Sequence, residues 1–178
     1  MRHRSTVFLL AALLGLSQCQ KSAPDPVSQL PPATQTGANT FGCLVNGQPW
    51  TPQGYNGTSN YSISYDSGLN GGVFDLQTYR YPDASKYFQN IYIDILSDFQ
   101  VGTYSFRSPK RVGVVFQDRK TNCYWSNTDS TTTYRRGTLT IMRLDKQAGI
   151  ISGTFAFTLF KPGCDSVRVT QGRFDKKL

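Results

Sequence analysis

Glutamate is absent from this chain, and its single histidine, His3, lies close to the N-terminus. Catalytic triads, cysteine–histidine pairs and histidine-ligated metal sites all need an imidazole within the folded domain. Acid–base chemistry would therefore depend on the 11 aspartates, together with lysine and tyrosine. These absences favour a non-catalytic protein, for which we expect neither a cofactor nor a metal ion.

Long apolar runs are also missing, apart from one at residues 7–16 that follows two basic residues, Arg2 and Arg4. The run is too short to span a bilayer as a mature helix and is typical of a signal peptide. It leads into Leu16-Ser17-Gln18-Cys19, which is typical of a bacterial lipoprotein processing site. We expect residues 1–18 to be removed and the sulfur of Cys19 to carry a lipid anchor. The alternative is an ordinary secretory signal in which Cys19 has no special role.

The segment that begins with this cysteine, residues 19–40, is rich in proline, serine, glutamine and threonine. Such a composition cannot bury a core and predicts a flexible tether between a membrane and a folded domain at residues 41–178. We expect the protein in the cell envelope of a Gram-negative bacterium, as an outer-membrane lipoprotein facing either the periplasm or the surface. Its first partner would be the membrane, through the lipid anchor.

The positive net charge bears on which partners the chain could bind. Removal of residues 1–18 takes two basic residues and no acidic ones, so the net charge becomes (19 − 2) − 11 = +6. The basic residues are scattered along the chain and form no dense run. For an exported chain this pattern predicts no nucleic acid partner, but solubility and mild attraction to anionic envelope polymers.

Residues 137–175 carry the clearest secondary-structure pattern. Apolar Ile151, Phe155, Phe157 and Leu159 alternate with small or polar side chains, as they do in a strand with one buried face. The stretches on either side, at residues 137–145 and 166–175, are also strand-like, and short turns separate the three. The sequence therefore predicts a three-strand antiparallel meander at the end of the domain.

Other short strands precede the meander. Asn46-Gly47 predicts a tight hairpin turn, and Ile91, Ile93 and Ile95 share one face of a strand. No stretch shows sustained helical periodicity. We therefore predict an all-β domain, a single antiparallel β-sandwich or flattened barrel of about 8–10 short strands.

The domain contains three cysteines, Cys43, Cys123 and Cys164. An oxidising compartment would favour a disulfide. If the strands near residues 112–124, 137–145 and 149–160 alternate in direction, Cys123 and Cys164 lie at the same end of the domain. They are the candidate disulfide pair, and the pairing state of Cys43 stays open.

Three segments carry a resemblance to a known family: residues 41–50, 151–157 and the closing stretch at 170–175, which ends in Gly172-Arg-Phe-Asp175. In these segments the chain resembles a family of small bacterial envelope lipoproteins described only as a domain of unknown function. The resemblance implies a lipid-anchored, exported, all-β domain. It implies no catalytic residue, ligand or partner.

The function that the residues favour is binding. Tyr79, Arg80, Tyr81, Tyr87 and Phe88 cluster in and around one long connection, where aromatic rings beside charged groups could stack on a glycan or grip a peptide. Alternatively, these tyrosines only cover strand edges. Two other classes stay open: a structural component of an envelope complex, and an aspartate-based hydrolase. Asp94 and Asp98 are too far apart to predict a carboxylate pair, and no other pair is evident.

Overall fold

The computed structural model describes residues 24–82 and 87–178. The predicted leader, Cys19 and residues 83–86 lie outside these ranges. Within them, no helix has the length and apolar character that a membrane crossing requires. The regular elements of the described ranges are one short 3₁₀ helix, Pro26–Gln29, and eleven strands.

The strands form two antiparallel sheets. The six-stranded sheet has the order β2-β1-β11-β10-β9-β6, with bounds Gln48–Trp50, Thr40–Val45, Asp165–Lys177, Ile150–Lys161, Tyr134–Asp145 and Gly102–Ser105. The five-stranded sheet has the order β3-β4-β5-β7-β8, with bounds Tyr61–Asp66, Val73–Arg80, Gln89–Ile95, Val112–Asp118 and Cys123–Ser126. The two sheets pack face to face as a β-sandwich and do not close into a barrel.

The predicted fold class is confirmed, and so is the meander, since β10 pairs with β9 on one side and β11 on the other. Two details differ from the sequence prediction. There are eleven strands within the described residues, and the three strands of the meander are long, with 12, 12 and 13 residues. Bulges at two points in these strands keep the inward-facing positions aligned despite the length.

Apolar side chains from both sheets fill the space between them. Ile91, Ile93 and Ile95 are fully buried, and so are Ile151 and Leu159 from the opposite sheet. At one end of the sandwich, a disulfide between Cys123 and Cys164 connects β8 to the turn between β10 and β11. This is the pair that the alternating strand directions predicted from the sequence. The third cysteine, Cys43, is a free thiol whose burial raises its pKa.

The last part of the segment before β1 is bound to the domain, which differs from the flexible tether predicted for residues 19–40, of which residues 19–23 lie outside the described ranges. Leu30 is buried, and Pro31 packs so closely on Gly42 that a Cβ there would lie 2.7 Å from the proline ring. We call residues 30–38 the strap, because they cross the outer surface of the six-stranded sheet. The domain thus begins before residue 41, and the prolines of this segment make contacts rather than only extending it.

Asp175 fastens the strap. Its side chain points outward from β11, yet the residue is only 1% exposed. The carboxylate accepts hydrogen bonds from the Thr34 hydroxyl at 2.7 Å and from the backbone N–H groups of Thr36, Gly37 and Ala38 at 2.9, 2.8 and 3.1 Å. Burial alone would raise the pKa of Asp175, but these hydrogen bonds outweigh it and hold the pKa below its ordinary value.

The neighbouring residues of the closing stretch complete the core. Phe174 is buried between the sheets, and a Cβ on Gly172 would lie 2.5 Å from the carbonyl oxygen of Phe155. Arg173 forms no ion pair with an acid in the part of the chain that the structure describes. It donates to the carbonyl oxygens of Gln171 and Pro31, at 3.0 and 3.4 Å, and so adds a further contact to the strap.

Candidate functional site

The outer surface of the five-stranded sheet carries a group of tyrosine and amide side chains. Alternation along each strand turns these side chains away from the core. Strand register places four of them in one row across four strands: Tyr79, Asn90, Gln117 and Tyr124. In the next row, Gln77 lies opposite Tyr92, which lies opposite Val115. We call these two rows the tyrosine face.

A cavity of about 440 Å³ lies over this face. Its lining includes the rings of Tyr79, Phe88, Tyr92 and Tyr124 and the amides of Asn56, Gln77 and Asn90. The volume suits a small ligand or one or two units of a longer one. Aromatic rings offer flat apolar contact, and amides both donate and accept hydrogen bonds, so the lining fits a molecule with apolar faces and hydroxyl edges.

Asn90 gives the cavity an unused hydrogen-bond acceptor. Its side-chain oxygen is buried and has no hydrogen-bond partner in the described part of the chain. A buried acceptor without a partner costs free energy, and a donor from a ligand or a water molecule would remove that cost. The acceptor lies on the middle strand β5, flanked in its row by Tyr79 and Gln117.

Tyr79 has a structural role at the rim. Its hydroxyl donates to the side-chain oxygen of Asn56 at 2.8 Å or to the carbonyl oxygen of Thr58 at 2.7 Å, and it accepts from the backbone N–H of Asn56 at 3.1 Å. These bonds hold the loop between β2 and β3 over the edge of the cavity. Tyr124, by contrast, is 42% exposed and lines the cavity with its ring.

Three of the five residues that the sequence singled out lie together. The rings of Tyr79 and Tyr81 are 5.8 Å apart, and those of Tyr81 and Phe88 are 6.0 Å apart. The guanidinium of Arg119 lies over Phe88 at 5.6 Å from the ring centroid. This cluster forms one wall of the cavity, through Tyr79 and Phe88.

The other two residues lie elsewhere. Arg80 is on the opposite side of β4, at the end of the sandwich, where it packs on Trp50 and donates to the side chain of Gln89 at 2.9 Å and the carbonyl oxygen of Pro49 at 3.0 Å. These contacts make it a structural residue that joins the two sheets. Tyr87 is 55% exposed and is not among the residues that line the cavity.

A carboxylate pair lies beside the tyrosine face, which the sequence did not reveal. Asp75 and Asp94 are directly opposite each other on β4 and β5. Asp75 accepts a short hydrogen bond from the Tyr92 hydroxyl, while the Asp94 carboxylate lies over Gly113, on the far side of β5 from Asp75. Burial, and then the charge of Asp75, raises the pKa of Asp94 to about 6.

The aspartate pair is not part of the cavity wall. Neither aspartate is among the residues that line the cavity, and Gly113 leaves the space that lets Asp94 turn away from Asp75. Within the described residues, no group of three or more histidine, cysteine, aspartate or glutamate side chains could hold a metal ion. The rings and amides that do line the cavity can stack on a ligand and hydrogen-bond to it, next to the negative charge of the aspartates.

The sequence prediction did not include Tyr92, Gln117 or Tyr124, although strand alternation indicated that they face outward. Each alternates with a core residue along its strand, so each had to face outward. Their grouping depends on the register between strands, which alternation along one strand does not determine. The predicted aromatic cluster lies at the connection between β4 and β5, whereas the cavity lies mainly on the outer surface of the same five-stranded sheet.

Comparison with known proteins gives one match. A family model described as a domain of unknown function (DUF6252) matches residues 83–176, just over half of the 178-residue chain. The matched range contains two of the three segments that carried the resemblance, at 151–157 and 170–175, and the segment at 41–50 precedes it. The description names neither an envelope nor a lipoprotein. Neither the curated proteins nor the solved structures gave a match.

Proposed function

The chain belongs to the DUF6252 family, a domain of unknown function, and we propose that it is a non-catalytic module that binds a neutral glycan on the tyrosine face. The observation that carries the proposal is the row from Tyr79 to Tyr124, with the unpartnered oxygen of Asn90 between two aromatic ends. Sugar rings have apolar C–H faces, which stack on tyrosine, and hydroxyl edges, which pair with amides.

The charge around the face favours a neutral ligand over an anionic one. Asp66, Asp75 and Asp94 lie at outward-facing strand positions of the same sheet, and no lysine or arginine occupies such a position on these strands. A sulfated or phosphorylated sugar would meet like charge there. Arg119 lies over Phe88 at one wall of the cavity, but the three aspartates outnumber it, so the charge supports an uncharged, hydroxyl-rich chain as the ligand class.

The location is part of the same proposal. The basic start, the apolar run and Cys19 support an exported lipoprotein anchored in the envelope of a Gram-negative bacterium. A binding module near an envelope membrane would meet glycans routinely. The absence of glutamate and of any histidine after His3 supports a non-catalytic role, and so does the position of the aspartate pair outside the cavity lining.

The test is binding of the purified full chain to an array of neutral and anionic glycans, followed by calorimetry on the best ligand. Tyr124→Ala should weaken binding about 5- to 30-fold, since stacking on one aromatic ring contributes about 1–2 kcal/mol. Asn90→Ala should weaken it through the lost acceptor. Tyr134→Ala is the matched control, because Tyr134 is similarly exposed, at 47%, on the other sheet.

Two results would reject the proposal. One is that the folded chain binds none of the neutral glycans. The other is equal affinity for the unaltered chain and the Tyr124→Ala variant. If the chain instead co-purified with one envelope protein through the tyrosine face, the structural role in an envelope complex would replace glycan binding.

A further inference from the structure

The outer surface of the six-stranded sheet is basic. Its outward-facing strand positions carry five cations and two acids. The acids, Asp145 and Asp175, are both engaged, one by Arg143 at 2.7 Å and the other by the strap. We call this surface the basic face, and its cations are Arg136, Arg143, Arg168, Arg173 and Lys177.

Two of these cations flank one polar position. Arg136 and Arg168 both lie opposite Thr158, one on each neighbouring strand, so their Cα atoms are about 10 Å apart. No ion pair in the described ranges involves either arginine. Guanidinium groups with threonine hydroxyls between them are suited to phosphate oxygens, which accept several hydrogen bonds at once.

Two aromatic rings lie in the next row of the same face. Tyr134 is directly opposite Phe160, and the two residues are 47% and 36% exposed. Exposed aromatic rings beside arginines are the composition of protein surfaces that rest at the boundary between lipid and water. The tyrosine face has rings as well, but its charges are acidic.

The strap brings the N-terminal part of the chain to this side of the molecule. Pro31 packs on Gly42 and accepts a hydrogen bond from Arg173, and the helix Pro26–Gln29 lies beside β2 at the sheet edge. Cys19 precedes Pro24 by five residues, which span at most about 18 Å. An anchor on Cys19 would therefore hold the six-stranded sheet close to a bilayer.

We propose that the basic face rests on anionic phospholipid headgroups of the bilayer that holds Cys19, with the tyrosine face directed away from it. The inference rests on the lipid-anchored location proposed above. Arg136 and Arg168 contact lipid phosphates, and Tyr134 and Phe160 lie among the headgroups. The strap leaves the anchored chain little freedom to turn the other face towards the membrane.

The experiment uses the full processed lipoprotein in nanodiscs of neutral or partly anionic lipid with nitroxide headgroups. A fluorophore is placed at Thr138→Cys on the basic face or at Ser62→Cys on the opposite sheet. The free thiol Cys43 is buried, and the other two cysteines form the disulfide, so labelling is selective. In anionic discs, the label at position 138 should be quenched much more strongly than the label at position 62.

Charge reversal tests the contact itself. Arg136→Glu with Arg168→Glu should lower the ratio of the face-down to the face-up orientation by about 25-fold or more, since each arginine contributes about fivefold near an anionic surface. Lys110→Glu with Lys120→Glu changes the net charge equally at exposed turns and should have no such effect. Salt that shortens the Debye length from about 10 Å to about 3 Å should act like the arginine reversal.

Equal quenching at both positions, or the same preference in neutral discs, would overturn the orientation. Mass spectrometry of the N-terminal peptide tests the lipid-anchored location separately. If Cys19 carried no acyl groups, the anchor would be absent, and the proposed orientation would be rejected together with the location. Glycan binding is measured on the same samples. Its loss would reject the tyrosine-face proposal and leave the quenching result unaffected.

Discussion

The two outer surfaces of this sandwich differ although their inner surfaces are alike. Both sheets face the core with aliphatic and aromatic side chains, such as Ile93 in one and Ile151 in the other. Outward, the five-stranded sheet shows tyrosines, amides and three aspartates, while the six-stranded sheet shows arginines and threonines. Core packing constrains only the inward positions, so the outward positions are free to serve different partners.

The two surfaces also differ in what covers them. The strap lies across one end of the basic face and buries Asp175, whereas no segment of the described chain crosses the tyrosine face in the same way. An outward-facing aspartate is thus a fastener on one sheet and a source of local negative charge on the other.

Removal of the disulfide should affect both surfaces together. It closes a loop of 41 residues and joins the two sheets, so Cys123→Ser with Cys164→Ser should lower the free energy of unfolding by about 4 kcal/mol. Denaturant titration with fluorophores at positions 62 and 138 would measure it. We expect the two sheets to unfold as one unit, so both labels should give the same midpoint. Separate midpoints would contradict this expectation.

Loss of the strap should affect one surface only. Asp175→Ala leaves three backbone N–H groups and a hydroxyl without their acceptor, which should cost about 3 kcal/mol. Limited proteolysis should then cleave within residues 30–38, while glycan binding by the remaining folded protein is unchanged. Asp145→Ala is the control, since it removes an outward carboxylate that does not bind the strap, and the strap should stay resistant.

The pH dependence of stability should have opposite signs for the two surfaces. The pKa of Asp94 is raised from 3.8 to about 6, so the folded state binds this proton more tightly and stability falls as the pH rises from about 4 to about 6. The pKa of Asp175 is lowered, so its contribution is present above its ordinary pKa and is lost on acidification.

Asp94→Asn should therefore remove the loss of stability between about pH 4 and about pH 6 and stabilise the protein at neutral pH. The gain should be about 1 kcal/mol or less, because the partly exposed carboxyl is screened by solvent. Thermal unfolding across this range would measure it. A variant that followed the same pH curve as the unaltered chain would show that Asp94 does not titrate in this window.

The smallest effect is expected at Arg143, which donates to the carbonyl oxygen of Gln35 in the strap and to Asp145. Arg143→Ala should speed cleavage of the strap slightly and leave the unfolding midpoint within error, because both contacts are partly open to solvent. Arg136→Ala, on the same strand but away from the strap, should change neither. Cleavage as rapid as in the Asp175→Ala variant would mean that Arg143, and not Asp175, is the main fastener.

Much of the fold could be predicted because it is encoded locally. Alternation alone identifies the buried faces of β5 and β10, and strand direction alone brings Cys123 to Cys164. The strap could not be predicted in this way. Its bond from Thr36 to Asp175 joins residues 139 apart, and its prolines are as typical of a spacer as of a bound segment.

The candidate site could be predicted only in part, for a related reason. Aromatic composition identified Tyr79, Tyr81 and Phe88, which do cluster. The same reasoning included Arg80, because adjacent residues on a strand are close in sequence but face opposite sides. The pairing of Asp75 with Asp94 and the row that ends at Tyr124 both require the register between strands. A single sequence contains no direct record of register.

The position of β1 between β2 and β11 determines at what stage the six-stranded sheet can be completed as the chain folds. During synthesis the first strand finds only the three-residue β2 as a neighbour, and its long partner is the last strand to emerge. The strap must wait for the same partner, since its fastener lies on β11. A contact between residues so far apart in sequence forms slowly. The domain should therefore fold in one late step, and not progressively from its N-terminal end. The nascent domain therefore stays open until almost its whole length is available.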